Sequence, residues 1–460
     1  MTSTAPIDVR DLRARLGGSV VLPTDPEYDE ARDMFDGVLD HRPAVIARCT
    51  GAADVSAALQ YARKAGLEIA VRGGGHGHHL PAGPGLLVDL APCASVRVDA
   101  RQRRAWVGGG ATLGALDVAC QEHGLAVPAG TVSHTGVGGL TLGGGFGFLT
   151  PRFGLTIDNL ESAEVVLADG RIVRASADSE PDLFWAIRGG GGNFGVVTEF
   201  ELRLHPLEMP VIAAMSFEPE RMAEAFRAAR DLLPLDSADV ACVLAALTAA
   251  PGPETPEAFR GRPVGMVIVV GFGSVDQLAA VVAPLREAVP PAFEQVSPIP
   301  YVALQQMLDA ASPWGAYTHT KGLFYDELPD AAIDTFVAAS RGMASPLSRM
   351  MLFGMGAGYR SVPDDATAFG GRRSAVFAVG VEAVALDPTV LPAEREWSRE
   401  AWRALLPFAA DSGAYVNLDP GMDAERIRAS YGDKYARLAR IKAEYDPENL
   451  FHVNANIRPA

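Results

Sequence analysis

The sequence predicts an α+β chain built as two domains, and three observations carry that prediction. The chain has 460 residues, too many for one ordinary hydrophobic core. Its glycines gather in three clusters, all ahead of Pro206. After Pro206 the texture changes: glycine thins, and alternating strands such as MVIVVGF and SAVFAVGVEAVAL mix with amphipathic helices such as EPERMAEAFRAARDLL.

Taken in order, PAVIAR (43–48) reads as a short strand. TGAADVSAALQYARKAG follows with helical spacing, Asp54 as its candidate N-cap and Gly66 at its end. LEIAVR is the next strand, and it runs into the glycine loop RGGGHGHH. GLLVDLAP (85–92) and RRAWVGGG (103–110) read as strands, and TLGALDVACQEHG (112–124) as a helix. The second glycine cluster is GVGGLTLGGGFG (136–147). The third lies in LFWAIRGGGGNFGVVTEFELRLHP (183–206), read as helix, loop and strand. PGPETPEAFRGRP (251–263) is a loop, and 422–460 is short helices with an irregular tail.

A hydrophobic fraction of 48% with 21% charged residues suits a soluble globular protein. The net charge of −16 disfavours nucleic acid and anionic membranes as partners. The longest apolar runs, such as VGMVIVVGF (264–272), are too short to span a bilayer. The start, MTSTAPIDVRDLRARLGG, carries charges and no apolar core of a secretory signal. Cys49, Cys93, Cys120 and Cys242 form no CxxC. That spacing suits a reducing cytoplasm and supplies no zinc framework.

GGGNFG (190–195) formally fits GxGxxG. A dinucleotide fingerprint needs strand, loop, then helix. Here the helix comes first, so that reading is excluded, and the absence of GxxxxGK[ST] excludes a P-loop. What remains is a set of loops whose backbone N–H groups can approach a diphosphate closely. His76 and His78 lie two apart but lack a third ligand in motif spacing, so no metal site is expected. His78 and His79 read as solvated side chains.

VRGGGH, PAGTVSHTGVGGLTLGGGFGFLTPRFGLTIDNL (128–160), DLFWAIRGGGGNFGVVTEF (182–200) and YDPENLFHVNANIRP (445–459) occur in that order. Together they resemble the FAD-linked oxidases of the vanillyl-alcohol oxidase superfamily, in particular the berberine-bridge-enzyme-like group. The resemblance covers 43–206 closely, 412–459 well, and the middle loosely. It implies a two-domain FAD-binding fold of the PCMH type, with an antiparallel-sheet substrate domain backed by helices. The divisions are 1–206 for FAD binding, 207–411 for substrate, and 412–460 returning to the FAD-binding domain.

The resemblance also implies residue roles. The histidine closing the first loop bonds covalently to the flavin 8α-methyl in the family, and that position is His76. FAD contacts from the same loop would be Arg72, Gly73, Gly74, Gly75 and Gly77. From the second cluster they would be Gly136, Gly138, Gly139, Gly143, Gly144 and Gly145. Gly195, Val197, Asn454 and Asn456 complete the cofactor set. Many members add a link from a cysteine in G-T-C-x-x-V-G, but this chain has GTVSHTG with Val132 at that place. A single link is therefore expected, a pattern similar to that of bacterial alkaloid- and polyketide-oxidising members. The segment between His76 and VDL is a little shorter than is usual. Thr135, three residues after Val132, is at the position that in the family admits or blocks dioxygen near flavin C4a; the other reading is a turn residue whose hydroxyl bonds its own backbone.

AYVNLD (414–419) resembles the family's Y-x-N-Y motif with Leu418 replacing the second tyrosine. Tyr415 is then a candidate base and Asn417 a candidate contact to substrate or flavin. The other reading of Tyr415 is a packed phenol with its hydroxyl satisfied. Glu382 is the only charge in SAVFAVGVEAVAL (374–386). A buried carboxylate there is a second candidate base; at a sheet edge it would point to water. In AYTHTKGLFYDE (316–327), Tyr317, His319 and Lys321 alternate onto one face, either lining a substrate pocket or forming an exposed polar face.

The expected protein is thus an FAD-dependent oxidase with O2 and a small molecule as its partners. It takes hydride from a C–H beside an alcohol or amine of a natural-product intermediate and yields H2O2. It is expected in the cytoplasm, as a monomer or homodimer. The alternatives are a dehydrogenase with another acceptor and a flavin- or ligand-binding protein without turnover.

Overall fold

The computed structural model describes residues 8–78, 83–253, 255–410, 413–419 and 421–460. Helix Ala52–Ala65 joins strands Val45–Arg48 and Ile69–Arg72 and ends on Gly66, whose φ of 64° lies in the left-handed region that favours glycine. Its start differs from the expectation. Gly51 is the N-cap, and Asp54 sits inside the first turn. There the Asp54 carboxylate accepts the backbone N–H groups of Gly17, Gly18 and Thr50. The acidic residue thus ties the chain just before the helix to the turn at Gly17 and Gly18.

Strands Ser19–Val21, Val45–Arg48, Leu86–Asp89 and Ile69–Arg72 form a small sheet in that order, parallel around Leu86–Asp89. A second, antiparallel sheet has the order Val96–Asp99, Arg104–Gly108, Val196–Arg203, Leu160–Val166 and Ile172–Ser176. Each sheet buries its own apolar cluster, one around Val45, Leu59 and Val88, the other around Val107, Ala163 and Phe200.

The segment from Val211 to Ala385 supplies a seven-stranded antiparallel sheet. Its order is Phe293–Pro298, Val211–Phe217, Pro263–Gly271, Val240–Thr248, Arg349–Gly354, Phe377–Ala385 and Tyr317–Tyr325. One face packs on helices Met222–Leu232, Val275–Ala288, Asp330–Ser340 and Leu391–Leu405. The other face packs on Phe148, Leu149, Leu155 and Ile157. That second face, turned toward the glycine loops, decides which side chains reach the site.

Helices Ala424–Tyr431 and Tyr435–Tyr445 return to the first part of the chain. Ile427, Leu438 and Ile441 pack into the cluster of Leu183, Trp185 and Phe194. Lys442 is wholly buried and fixes this return. Its Nζ donates to Asn193 O at 2.6 Å, Phe451 O at 3.0 Å and the Asp446 carboxylate at 2.6 Å. Burial pushes the lysine pKa down, and Asp446 opposes the shift. The 411/412 boundary lies outside the described residues. Among the described residues no helix is long and apolar enough to cross a membrane.

Candidate active site

The first glycine loop leaves strand Ile69–Arg72 beside Gly136. A Cβ on Gly74 would stand 2.3 Å from Gly136 N, and one on Gly136 would stand 2.2 Å from Gly74 N. The two loops therefore touch backbone to backbone, and only glycine permits the approach. Gly73 and Gly138 press in the same way on Gly109 O. Arg72 braces the loop from below. Its guanidinium donates to Asp89 at 3.0 Å and to Asp33 O at 2.9 Å, so its charge is already matched.

These loops open on a cavity of about 420 Å³, a size usual for small-molecule sites. Gly73, Gly74, Gly75, Gly77, Gly136, Gly138 and Gly139 line it, joined by Gly195, Val197 and Asn454. Gly77, Gly139 and Gly192 have open space where a Cβ would be, so bare backbone faces the cavity. The second cluster divides, which corrects its expected role. Gly143, Gly144 and Gly145 do not line the cavity. They are pressed against Asn417, against Phe369 and Tyr415, and against Thr156, respectively. Asn456 is also outside the lining, although its buried Oδ1, like that of Asn454, has no hydrogen-bond partner.

His76 projects into the cavity wall. Its ring stacks on Phe35 with centroids 4.0 Å apart, and its Nε2 lies 2.7 Å from His134 Nδ1. Burial, aided by His134 and His78, pushes its pKa down to about 3. The ring is therefore neutral near pH 7, the form in which a ring nitrogen is nucleophilic. His78 corrects the expectation of a solvated side chain. It lines the cavity with Nε2 2.7 Å from Asp36 Oδ2, and Thr318 Oγ1 donates to the same oxygen at 2.8 Å. Burial works to raise the Asp36 pKa, but bonds from His78, Val38 and Thr318 hold it below its usual value. His79 and the short segment after it lie partly outside the described residues.

At the other end, the seven-stranded sheet presents Thr318, Thr320, Arg349, Met351, Glu382 and Val384. The register places Thr320 and Arg349 on either side of Glu382. Arg349 Nη2 meets Glu382 Oε2 at 2.5 Å, with the side chains 6% and 15% exposed. Glu382 is thus an ion-paired carboxylate rather than a lone buried one. The same guanidinium also donates to Ala311 O at 2.7 Å and Ser312 Oγ at 2.9 Å, while its buried Nε has no hydrogen-bond partner.

Tyr317, His319 and Lys321 do share a face, but it is the face away from the cavity, which corrects their assignment to substrate. Tyr317 lies against Gly37. His319 Nδ1 is 2.6 Å from Ser398 Oγ on helix Leu391–Leu405, and burial pushes its pKa down to about 4. Lys321 Nζ donates to Asp419 at 2.6 Å. Strand alternation shows which residues go together; the packing of helix Leu391–Leu405 decides which set looks inward.

Tyr415 lines the cavity. Its hydroxyl oxygen accepts from Gly145 N–H at 2.8 Å and Asn417 Nδ2 at 2.8 Å. Burial nevertheless pushes its pKa up to about 12, against both bonds. The phenol therefore keeps its proton at neutral pH, in accord with the packed reading. Asn417 also donates to Leu140 O at 3.1 Å. Val132 and Thr135 line the cavity on the opposite loop, where Thr135 N–H closes a turn on Val132 O at 3.1 Å.

Comparison with known proteins gives the family. Residues 43–176 match a family described as FAD binding domain, and 414–458 match one described as berberine and berberine like. An FAD-linked oxidoreductase of Dictyostelium discoideum is 30% identical over 91% of this chain and 89% of its own length. The (R)-6-hydroxynicotine oxidase of Paenarthrobacter nicotinovorans is 31% identical over 96% and 97%. The chain belongs to the berberine-bridge-enzyme-like FAD-linked oxidoreductases. The crystal structure of 6-hydroxy-D-nicotine oxidase from Arthrobacter nicotinovorans superposes with a TM-score of 0.83 at 28% identity, covering 97% and 98% of the two chains.

As a berberine-bridge-enzyme-like protein, the chain is an FAD-dependent oxidoreductase, and its cavity fits that cofactor. Bare glycine backbone can hold a diphosphate without a free cation, and the orphaned Asn454 Oδ1 offers an acceptor in the same wall. Among the described residues no cluster of His, Cys, Asp and Glu is placed to hold a metal ion. Sequence reasoning missed Arg349, His134 and the Asp36–His78 pair. Arg349 carried a usable signal, being the sole charge in the strand RMMLFG, the feature that singled out Glu382.

Proposed function

We propose that this chain is an oxidase with FAD bonded through His76. It removes hydride from a carbon bearing an alcohol or amine, in a natural-product intermediate, while O2 becomes H2O2. One observation carries the reading: the glycine cradle with His76 and the Arg349–Glu382 pair line one cavity. The bound flavin supplies the two-electron acceptor. Glu382 takes the O–H or N–H proton, and Arg349 holds its carboxylate in place. Tyr415, still protonated, donates its hydroxyl hydrogen to substrate, and Asn417 and Gly145 orient that hydroxyl. Met351, Phe353 and Phe146 give the apolar wall that a carbon skeleton needs. The kinship with a hydroxynicotine oxidase supports the amine half of the substrate class. The four cysteines are unpaired, which suits a cytoplasmic setting.

The test uses secondary alcohols and cyclic amines mixed anaerobically with the holoenzyme, followed by air. Glu382→Gln should slow flavin reduction about 10²–10⁴-fold, and Tyr415→Phe far less. Hydrogen peroxide should appear in step with product. Electrons that reach only an artificial acceptor would make the protein a dehydrogenase; a flavin that no substrate reduces would make it a binding protein. For the link, acid-precipitated protein should stay yellow, and His76→Ala should release its flavin.

A further inference from the structure

The His76 ring is held on three sides. Phe35 stacks on it within 8° of parallel, Trp314 meets it edge-on at 6.2 Å, and His134 Nδ1 holds its Nε2. With Nε2 engaged, Nδ1 is the nitrogen left to form a bond. The turn that carries His134 is itself fixed. Ser133 donates its N–H at 2.8 Å and its hydroxyl at 2.5 Å to the Asp309 carboxylate. His134 does not line the flavin cavity. It lines a separate open groove with Thr112, Val118, Glu122 and Gln306. One imidazole thus touches the buried His76 ring on one side and a solvent-open groove on the other.

We propose that His134 is the proton acceptor that lets His76 bond to the flavin. The inference rests on the His76 link proposed above. The bond that forms joins His76 Nδ1 to the 8α-methyl carbon. Two bonds break, one methyl C–H and the His76 Nε2–H. The Nε2 proton passes to His134 Nδ1 and leaves through the groove, and the methyl proton is released separately. The two electrons of the C–H bond remain on the flavin. Dioxygen takes them with two protons and departs as hydrogen peroxide, leaving oxidised, attached cofactor.

Burial explains why a neighbour is needed. The His76 site is hostile to positive charge, since burial pushes that ring's pKa down to about 3. Alkylation at Nδ1 without loss of the Nε2 proton would place an imidazolium there. His134 moves the charge to the groove, which is open to solvent and lined by Glu122, with Asp309 behind the turn and Asp33 across Trp314.

The experiment follows attachment of added FAD to apoprotein, scoring acid-stable flavin on the His76 peptide by mass and total bound FAD by absorbance. His134→Ala should bind FAD and attach it about 10²–10⁴-fold more slowly, with free imidazole restoring the rate by way of the groove. His134→Gln keeps a polar partner for His76 but accepts no proton, so it should be as slow as alanine. Attachment by either variant at the wild-type rate, or by alanine without response to imidazole, overturns the role of His134. Wild-type protein that never holds acid-stable flavin overturns the His76 link itself, a separate outcome.

Discussion

Arg349 is buried and Glu382 half-buried, and the worth of their ion pair can be worked out from its surroundings. Arg349→Leu removes the 2.5 Å contact to Glu382 and the bonds to Ala311 O and Ser312 Oγ. It leaves a carboxylate that is 15% exposed facing Thr320 and apolar wall. Breaking such a pair from one side costs about 3–5 kcal/mol, most of it the penalty of the stranded charge. Glu382→Leu should cost a similar amount by stranding the guanidinium. The double variant strands nothing except two acceptors, each worth about 1–3 kcal/mol at most. It should therefore be more stable than either single variant, with a coupling of about 3 kcal/mol in a double-mutant cycle. Urea unfolding of the holoenzyme followed by tryptophan fluorescence measures it. A coupling under about 0.5 kcal/mol, the range of independent sites, would refute the claim that the pair is desolvated and mutually dependent.

Thr135→Leu should slow reoxidation of reduced flavin in air while reduction by substrate proceeds unchanged; stopped-flow absorbance separates the two steps, and equal reoxidation rates would remove Thr135 from the oxygen path. Asp117 is buried beside Gln305, and burial pushes its pKa from 3.8 up to about 8. A folded value above the unfolded one favours the fold at pH below about 4 and costs stability as pH rises to about 8. Asp117→Asn should accordingly stabilise by a few kcal/mol at pH 8 and by little at pH 4, read as the difference between two urea titrations. Lys442→Met should destabilise the fold by about 3–5 kcal/mol and expose the 446–457 tail to protease; protection equal to wild type would count against the tail's dependence on this lysine.

Local features were legible because their cause is local. The strand–loop step at VRGGGH, the αL end at Gly66 and the Tyr415–Asn417 pair all follow from neighbours in the chain. Glycine loops could be recognised as such, but Gly138 faces the cavity and Gly144 faces Phe369 only because of what approaches each from elsewhere. The same limit explains Lys321. Its alternation with His319 was visible, whereas the helix that covers that face starts some seventy residues later, at Leu391. His76 and His134 are separated by 58 positions, and His78 and Asp36 by 42. Nothing in either segment signals the other, since hydrogen bonds between remote loops are products of the assembled sheets.

The Lys442 anchor has a consequence for the order of events during synthesis. Its partner Asn193 lies 249 positions earlier, in the loop whose glycines line the cavity. When that loop leaves the ribosome, the lysine that will hold it has not been made, and neither has the asparagine at 454. The complete cradle, with Asn193 held by Lys442, is therefore a structure that a growing chain cannot yet possess, however well its first sheets have formed. Cofactor capture is then expected to follow synthesis, and a ribosome stalled before residue 442 should hold a nascent chain that does not retain FAD.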